Sequence, residues 1–290
     1  MSLLLIIAIQ AAFYTLLGLG YVLIYRATRV LNLAHGDVMV FGAFIFFQGL
    51  VTSGGSVVVA ALAALTGAAL LGGLIYASIM RPLAGYPVAV GVLATIALGI
   101  TLRSATTVIW SGQTRYPAEH VGRLGGGFEL TPGVSVSGVD ALIILAAVAA
   151  ILGISLFLQR AAVGVGMRGV AENVLLAAQR GINIHAINAV SWAAAAMMAT
   201  IAGIFFSLKV RLGPDIWYVG LAGFAPALIG GMDSVRGVAL GALIVAAAEV
   251  LASRYIAPQV SLVAPFLVLL VALWLRPWGI FGSREELERV

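Results

Sequence analysis

The stretch LLLIIAIQAAFYTLLGLGYVLIY, residues 3–25, contains no charged side chain. A helix that crosses the ~30 Å hydrocarbon core of a bilayer needs about 20 apolar residues, so this stretch is long enough to span a membrane. Two shorter runs, 36–52 and 217–232, fit either short tilted spans or half-helices buried in protein. Further runs of spanning length lie at 56–80, 88–110, 139–158, 187–208, 234–253 and 259–276.

The composition of the whole chain agrees with this reading. Of 290 residues, 62% are hydrophobic and 9% are charged, and the mean hydropathy is +1.12. A soluble domain carries about 25% charged residues, so lipid must cover much of this chain. Strand-like alternation is absent, which disfavours a β-barrel. We therefore predict an all-α, polytopic transmembrane helical bundle of about eight to nine spans, with possible half-helices, formed by residues 1–290 as a single domain.

The distribution of basic residues predicts the orientation. Positively charged loops mark the cytoplasmic side of a membrane protein. With the N-terminus outside and nine crossings, 159–186 and the C-terminus are cytoplasmic, and 111–138 is external. The inner segments then hold ten basic residues (Arg26, Arg29, Arg81, Arg160, Arg168, Arg180, Arg236, Arg276, Arg284 and Arg289), and the outer ones hold five (Arg115, Arg123, Lys209, Arg211 and Arg254). If either short run is re-entrant, this parity changes.

The stretch GMRGVAENVLLAAQRGIN, residues 166–183, predicts a short amphipathic helix over about 167–180. Arg168 and Glu172 are four residues apart and can pair on its polar side. Gly181 suits the C-terminal stop, where a left-handed conformation is needed. Such a helix can lie on lipid headgroups or dock into a groove on another protein.

Polar residues also precede and begin the short run at 36–52. We expect a helix from about Leu33, with Asn32 as its cap and Asp37 favourable near its positive end; His35 and Gly36 occupy the same first turn. The alternative is that this helix end lines a transport path.

Two charges fall inside predicted spans. Arg103 and Glu249 are placed about 10 Å and about 6 Å below the outer boundary at 1.5 Å per residue. Intramembrane charges are costly and normally find partners, so we predict that these two pair; a direct role in binding substrate is the alternative. The glycines Gly237 and Gly241, like Gly67, Gly72 and Gly73, are predicted to allow close helix packing.

The sequence carries no sign of an enzyme. No Walker A motif is present, and Lys209 is the only lysine, so ATP hydrolysis by that route is excluded. The histidines His35, His120 and His185 are not at metal-ligand spacing, and no catalytic constellation, cofactor site or metal site is predicted. The chain has no cysteine.

Four segments in order resemble the branched-chain amino acid permeases of ABC importers, the LivH type. They are YRATRVLNLAHGDVMVFGAF at 25–44, the 166–183 stretch with its Glu172…Gly181 spacing, ALIGGMDSVRGVALGALIVAAAEVL at 227–251, and RPWGIFG at 276–282. The 166–183 stretch lacks the Glu-Ala-Ala start and later Leu-Pro of the general importer pattern and is closer to the branched-chain form.

The resemblance implies a multi-pass permease of a bacterial-type inner membrane. It implies that the permease pairs with a second permease subunit, two cytoplasmic ATPase subunits and an external substrate-binding protein. It also implies that 159–186, with Arg168, Glu172 and Gly181, is the cytoplasmic coupling loop that docks on the ATPase. The implied substrates are leucine, isoleucine or valine, moved by alternating access. Alternatives are a related importer of urea, amides or other amino acids, a secondary transporter or channel, or a membrane enzyme.

Overall fold

The computed structural model describes residues 3–122, 127–131 and 134–282. Twelve α-helices run through the described chain, with one short antiparallel hairpin, β1 (Gly127–Thr131) and β2 (Val134–Ser137), before the fifth. The helices are α1 (Leu3–Thr28), α2 (His35–Thr52), α3 (Val57–Ile75), α4 (Val88–Trp110), α5 (Gly138–Arg160), α6 (Ala162–Glu172), α7 (Val174–Gln179), α8 (Ile184–Lys209), α9 (Trp217–Ala222), α10 (Phe224–Gly230), α11 (Val235–Tyr255) and α12 (Ala264–Leu275).

Within the described ranges, seven helical stretches are long and apolar enough to cross a membrane: α1, α2, α3 with its π-helical continuation Tyr76–Met80, α4, α5, α8 and α11. The predicted fold, a polytopic all-α bundle, is confirmed. The run at 217–232 is the joined pair α9 and α10, which meet at Gly223. It is therefore composed of half-helices.

The prediction of one continuous span at 259–276 was wrong. This segment is divided into a 3-10 helix, Pro258–Leu262, and the 12-residue α12. Both pieces have a proline in their first turn, where the missing N–H removes no helical hydrogen bond. The division follows from Pro265, because proline is disfavoured inside a helix.

Helix α1 forms the centre of the bundle. It packs against α8, α11 and α5, and most of its residues from Ile9 to Ile24 are buried. Helices α3, α4 and α5 lie at the periphery and expose large apolar side chains such as Leu70, Val108 and Leu145. In a membrane these faces contact lipid or another membrane subunit.

The bundle has two distinct ends. At one, Arg26 Nη1 donates to the Asp233 carbonyl at 3.0 Å, and the Ile280 amide donates to the Ile229 carbonyl at 2.8 Å. We call this the coupling end; it comprises 81–87, 161–183, 231–234 and 276–282. The hairpin end comprises 53–56, 111–122, 127–131, 134–137, 210–216 and 256–263. There Lys209 Nζ lies 2.5 Å from Asp140 Oδ1, and a β-bridge joins Arg115 to Leu212.

Glycines determine several close helix contacts. A Cβ at Gly237 would overlap the backbone of Gly230, and one at Gly241 would overlap the carbonyl of Pro226, so α11 lies directly on α10. A Cβ at Gly72 would likewise overlap the Trp192 carbonyl on α8. Gly73 differs from expectation: no described atom lies within 4 Å of its Cβ position, so it has no packing role of this kind.

Candidate functional site

The segment at 29–34 leaves helical form inside the bundle. The helix expected from Leu33 begins at His35, and the His35 ring lies against Gly20 of α1, eight residues before that helix ends. At 1.5 Å per residue, α2 therefore begins about 12 Å from the coupling end of α1. The 18-residue α2 is the second part of a span whose first part is non-helical.

Side chains satisfy the backbone of this non-helical segment. Thr95 of α4, fully buried, accepts from the Leu33 amide at 3.1 Å, and its hydroxyl lies 3.3 Å from the Leu31 carbonyl. Asn32 accepts from the Ala34 amide at 3.1 Å through its side-chain oxygen. Lipid offers no hydrogen-bond partner, so these contacts allow the chain to remain non-helical at membrane depth. Asn32 thus forms a turn before α2 rather than capping it directly.

The start of α2 contacts the second broken segment of the chain. A Cβ at Gly36 would overlap the Trp217 carbonyl, and one at Gly220 would overlap the backbone of Gly36. Only glycine permits this approach of α2 to α9. The two non-continuous spans therefore meet at the first turn of α2, next to α1.

A charged pair lies at this meeting point. Arg103 Nε is 3.0 Å from Asp37 Oδ1, and the Arg103 guanidinium carbon lies 3.8 Å from the centre of the Trp217 ring. The side chain of Asp37 is 3% exposed, whereas that of Arg103 is 33% exposed. The site thus combines a buried carboxylate with a cation that is partly open to the surroundings of the chain.

His35 belongs to the same site. It is fully buried, its ring centre lies 4.4 Å from that of Tyr21, and neither ring nitrogen has a partner at hydrogen-bond geometry among the described residues. A buried polar group without a partner is rare and costs free energy. The His35 ring occupies the space left by the missing side chain of Gly20. No described hydrogen bond joins His35 to Arg103 or Asp37.

The predicted pairing of Arg103 with Glu249 was wrong. Glu249 accepts from the Tyr14 hydroxyl at 2.6 Å and from Gln10 Nε2 at 3.2 Å, both on α1. Helix α4 packs against α2, whereas α11 packs against α1, so the two charges lie on different sides of the bundle.

The stretch at 166–183 forms two helices, not one. Asn173 adopts an extended conformation and its side chain accepts from the Leu176 amide at 2.9 Å, which ends α6 and caps α7. Met167, Val170 and Ala177 are buried, while Arg168 and Glu172 are exposed. The side chains of Ala171, Val174 and Leu175, expected on the apolar side, lie outside the described residues, as do Arg123, Arg284 and Arg289.

The end of α7 is a Schellman motif. Gly181 has φ 78, and its amide donates to the Ala178 carbonyl at 2.9 Å, while the Ile182 amide donates to the Ala177 carbonyl at 3.1 Å. A left-handed conformation of this kind favours glycine. The motif turns the chain sharply from α7 into α8.

Several site residues were missed by sequence reasoning. Trp217 and Tyr14 look like ordinary apolar positions in sequence, and only packing brings them to Arg103 and Glu249. A further cluster lies near the coupling end: the Tyr76 hydroxyl is 2.9 Å from His185 Nδ1, and Asn188 Nδ2 is 3.4 Å from the same hydroxyl. Tyr76 begins the π-helical turn of the third span, a distortion common at functional positions. No signal in the sequence marks that turn.

The loop at the hairpin end carries an exposed ion pair. Arg211 donates through two nitrogens to the two oxygens of Asp215, at 2.9 and 2.5 Å. This hydrogen-bonded contact lowers the pKa of Asp215 and raises the pKa of Arg211. Its stabilisation is therefore lost as the pH falls through the lowered pKa of Asp215, but an exposed pair contributes little. Within the described ranges no three His, Asp or Glu side chains lie together as a metal site.

The Arg103–Asp37 pair gives a testable energetic prediction. Arg103→Leu or Asp37→Leu alone leaves one charge uncompensated at membrane depth, which can cost about 3–5 kcal/mol. The double substitution should recover much of this loss. Thermal unfolding of the purified variants measures the effect.

The matched control is Arg103→Leu combined with Glu249→Leu, whose effects should add because the residues share no contact. If instead the Arg103 and Asp37 effects add within about 0.5 kcal/mol, the pair contributes no coupling energy.

Comparison with known proteins relates this architecture to one family. The family described as "Branched-chain amino acid transport system / permease component" matches residues 3–273. The permease protein LivH of a high-affinity branched-chain amino acid transport system of Escherichia coli K12 is 28% identical over 288 residues, covering 96% of this chain and 93% of that protein.

Two other relatives are also named as permeases of branched-chain amino acid transport. BraD of Pseudomonas aeruginosa, with the same descriptive name, is 28% identical and covers 96% of this chain and 94% of its own. A probable LivH from Methanocaldococcus jannaschii is 24% identical, covering 92% and 88%. Together with the seven described helices that are long and apolar enough to cross a membrane, these matches indicate a multi-pass inner-membrane protein. The chain belongs to the family of permease components of branched-chain amino acid transport systems.

Proposed function

We propose that this chain is the membrane-spanning permease subunit of an ATP-driven importer that moves branched-chain amino acids by alternating access. The observation that carries the proposal is the polar site at which two broken spans meet inside the bundle, where Arg103 contacts Asp37 and Trp217. Broken helices at membrane depth occur where the backbone is buried in protein or lines a path. Membership of the permease family supports this assignment.

The exposed part of Arg103 indicates where the path runs. A cation at membrane depth that keeps 33% of its side-chain surface open is very costly against lipid. The surface between α4 and α9 therefore faces water or a second permease subunit. We place the transport path along this surface, at the contact with that second subunit, with Asp37 and His35 behind it.

The sidedness of the bundle follows from its basic residues. The coupling end, including 159–186, is assigned to the cytoplasm, and the hairpin end, including 111–138, to the outside, where the binding protein docks. Nine crossings satisfy this arrangement when α9 with α10, and Pro258–Leu262 with α12, each count as one. The whole chain then forms one transmembrane domain.

The cytoplasmic assignment makes α6 and α7 the contact with the ATPase. The elbow at Asn173 places exposed Glu172 at the tip between two short helices, and buried Met167 and Val170 anchor α6 to the bundle. Gly181 returns the chain into α8. A displacement of this elbow by the ATPase would move α8, which directly follows α7. It would also move the third span, because the Tyr76 hydroxyl contacts His185 of α8. Hydrolysis itself is assigned to separate ATPase subunits, since the chain has no Walker A motif.

The substrate assignment comes from the relatives, whose names specify branched-chain amino acids. Leucine, isoleucine or valine is therefore proposed for this chain, delivered by an external binding protein.

The proposal is tested by uptake into liposomes that contain this chain with its co-expressed partner subunits. We expect ATP-dependent and binding-protein-dependent uptake of radiolabelled leucine, with urea at the background level. Uptake of urea but not leucine would overturn the substrate assignment. Leucine uptake that persists without ATP would overturn the importer mechanism.

Glu172→Arg tests the coupling contact. The substitution places a second cation one helical turn from Arg168 on α6 and removes a carboxylate from the proposed ATPase contact. We expect ATP hydrolysis to continue while leucine uptake is largely lost, measured on the same liposomes.

Glu119→Arg is the control, because it makes the same chemical change at an exposed position of the hairpin end. It should leave ATPase association unchanged. Normal co-purification of the ATPase together with normal uptake by Glu172→Arg would contradict the assignment of this elbow.

A further inference from the structure

An apolar cleft of about 190 Å³ opens on the side of the bundle near the coupling end. Gly153 and Phe157 of α5 form one wall, Val190 and Ala194 of α8 form the other, and Leu23 of α1 lies at the back. Met167 of α6 also lines the cleft. The hydroxyl of Ser191, a further lining residue, is already bonded to the Ile187 carbonyl at 2.8 Å, so it offers no free hydrogen to an occupant.

The position of the cleft identifies the environment that reaches it. Its lining residues lie three to seven residues before the end of α5 and six to ten residues after the start of α8. At 1.5 Å per residue this is about 5–15 Å inside the apolar region from the coupling end. Helix α5 is the most apolar of the spans and the least buried, as expected for a helix that faces lipid.

The polar path and this cleft are on different helices. The surface with Arg103 is formed by α4 and α9, whereas the cleft lies between α5 and α8. Its volume is below the ~300–1,000 Å³ of small-molecule sites, so it suits a segment of a flexible chain rather than a whole soluble ligand. The chemistry it offers is purely apolar contact.

Arg160, at the end of α5, lies where the headgroup of a lipid bound in the cleft would be. Arg160 is exposed and seven residues after Gly153, which places both on the same face of α5, separated by about 10 Å along the axis. A basic side chain at the inner interface attracts anionic lipid headgroups. The apolar cleft and the cation thus match the two parts of one anionic phospholipid.

We propose that this cleft binds one acyl chain of an anionic phospholipid of the inner leaflet, with Arg160 at its phosphate. Because Met167 belongs to both the cleft and α6, the bound chain packs against the root of the proposed coupling elbow. The choice of the inner leaflet rests on the proposed cytoplasmic position of the coupling end, and not on which substrate the permease moves.

The assembled transporter, in liposomes with a phosphatidylglycerol that carries a photoreactive diazirine in its acyl chain, provides the test. Cross-links mapped by mass spectrometry should concentrate at 153–157 and 190–194. Gly153→Leu should reduce their yield several-fold by filling the cleft. This change has space, because no described atom lies within 4 Å of the Gly153 Cβ position. Val190→Phe fills the cleft from the opposite wall and should give the same loss.

Gly73→Leu is the matched control. Gly73 also has open space at its Cβ and lies seven residues before the end of its span, as Gly153 does. It should leave the cross-links at the cleft unchanged. Arg160→Gln should lower the preference for anionic over zwitterionic competitor lipid.

Three results would overturn the proposal. Cross-links spread evenly over α3 and α5 would show only surrounding bilayer lipid. A yield unchanged by both cleft-filling variants would exclude occupancy of the cleft. Cross-links at the cleft in the isolated chain but not in the assembled transporter would show that another subunit covers it.

Discussion

A backbone amide inside a bilayer must find its hydrogen-bond partner within the protein, and residues 29–34 are the place where this chain meets that constraint. The segment is not helical, yet the contacts of His35 place its end beside Gly20 in the interior of the bundle. Thr95 and Asn32 supply the missing partners. Without them the segment would be forced into a helix or out of the membrane, and α2 could not begin where it does.

The position of this helix start determines the polar site. It brings Asp37 level with Arg103 on α4, and Gly36 allows α9 to approach so closely that Trp217 covers the guanidinium. The favourable placement of a carboxylate near a helix N-terminus adds to the ion pair. Glu249 lies at the contact of α11 with α1 and is satisfied by neutral partners, Tyr14 and Gln10. Arg103 therefore stabilises the junction of the broken spans, whereas Glu249 stabilises the contact between α1 and α11.

Much of the architecture could be predicted from the sequence because apolar run length directly reflects bilayer thickness. The half-helical character of 217–232 was foreseen as one of two alternatives. The same reasoning failed where a single residue overrides a periodic pattern, at Asn173 and at Pro265. It also failed for Arg103, because position along a helix gives the depth of a charge but not its lateral neighbours. Those neighbours are set by which helices pack together, and one sequence does not specify that.

In the proposed function, the surface of α4 and α9 around Arg103 faces a water-accessible path, whereas α5 faces lipid. Because the chain has no cysteine, single cysteines can report this directly. Tyr218→Cys, 42% exposed and next to Trp217, should react with a charged, membrane-impermeant thiol reagent in the assembled transporter. Leu145→Cys, 64% exposed, lies seven residues from the hairpin end of α5, as Arg103 does on α4, and should remain unreactive. Equal protection of both cysteines from the reagent would contradict the account, since the Arg103 surface would then be no more open to water than the lipid-facing helix.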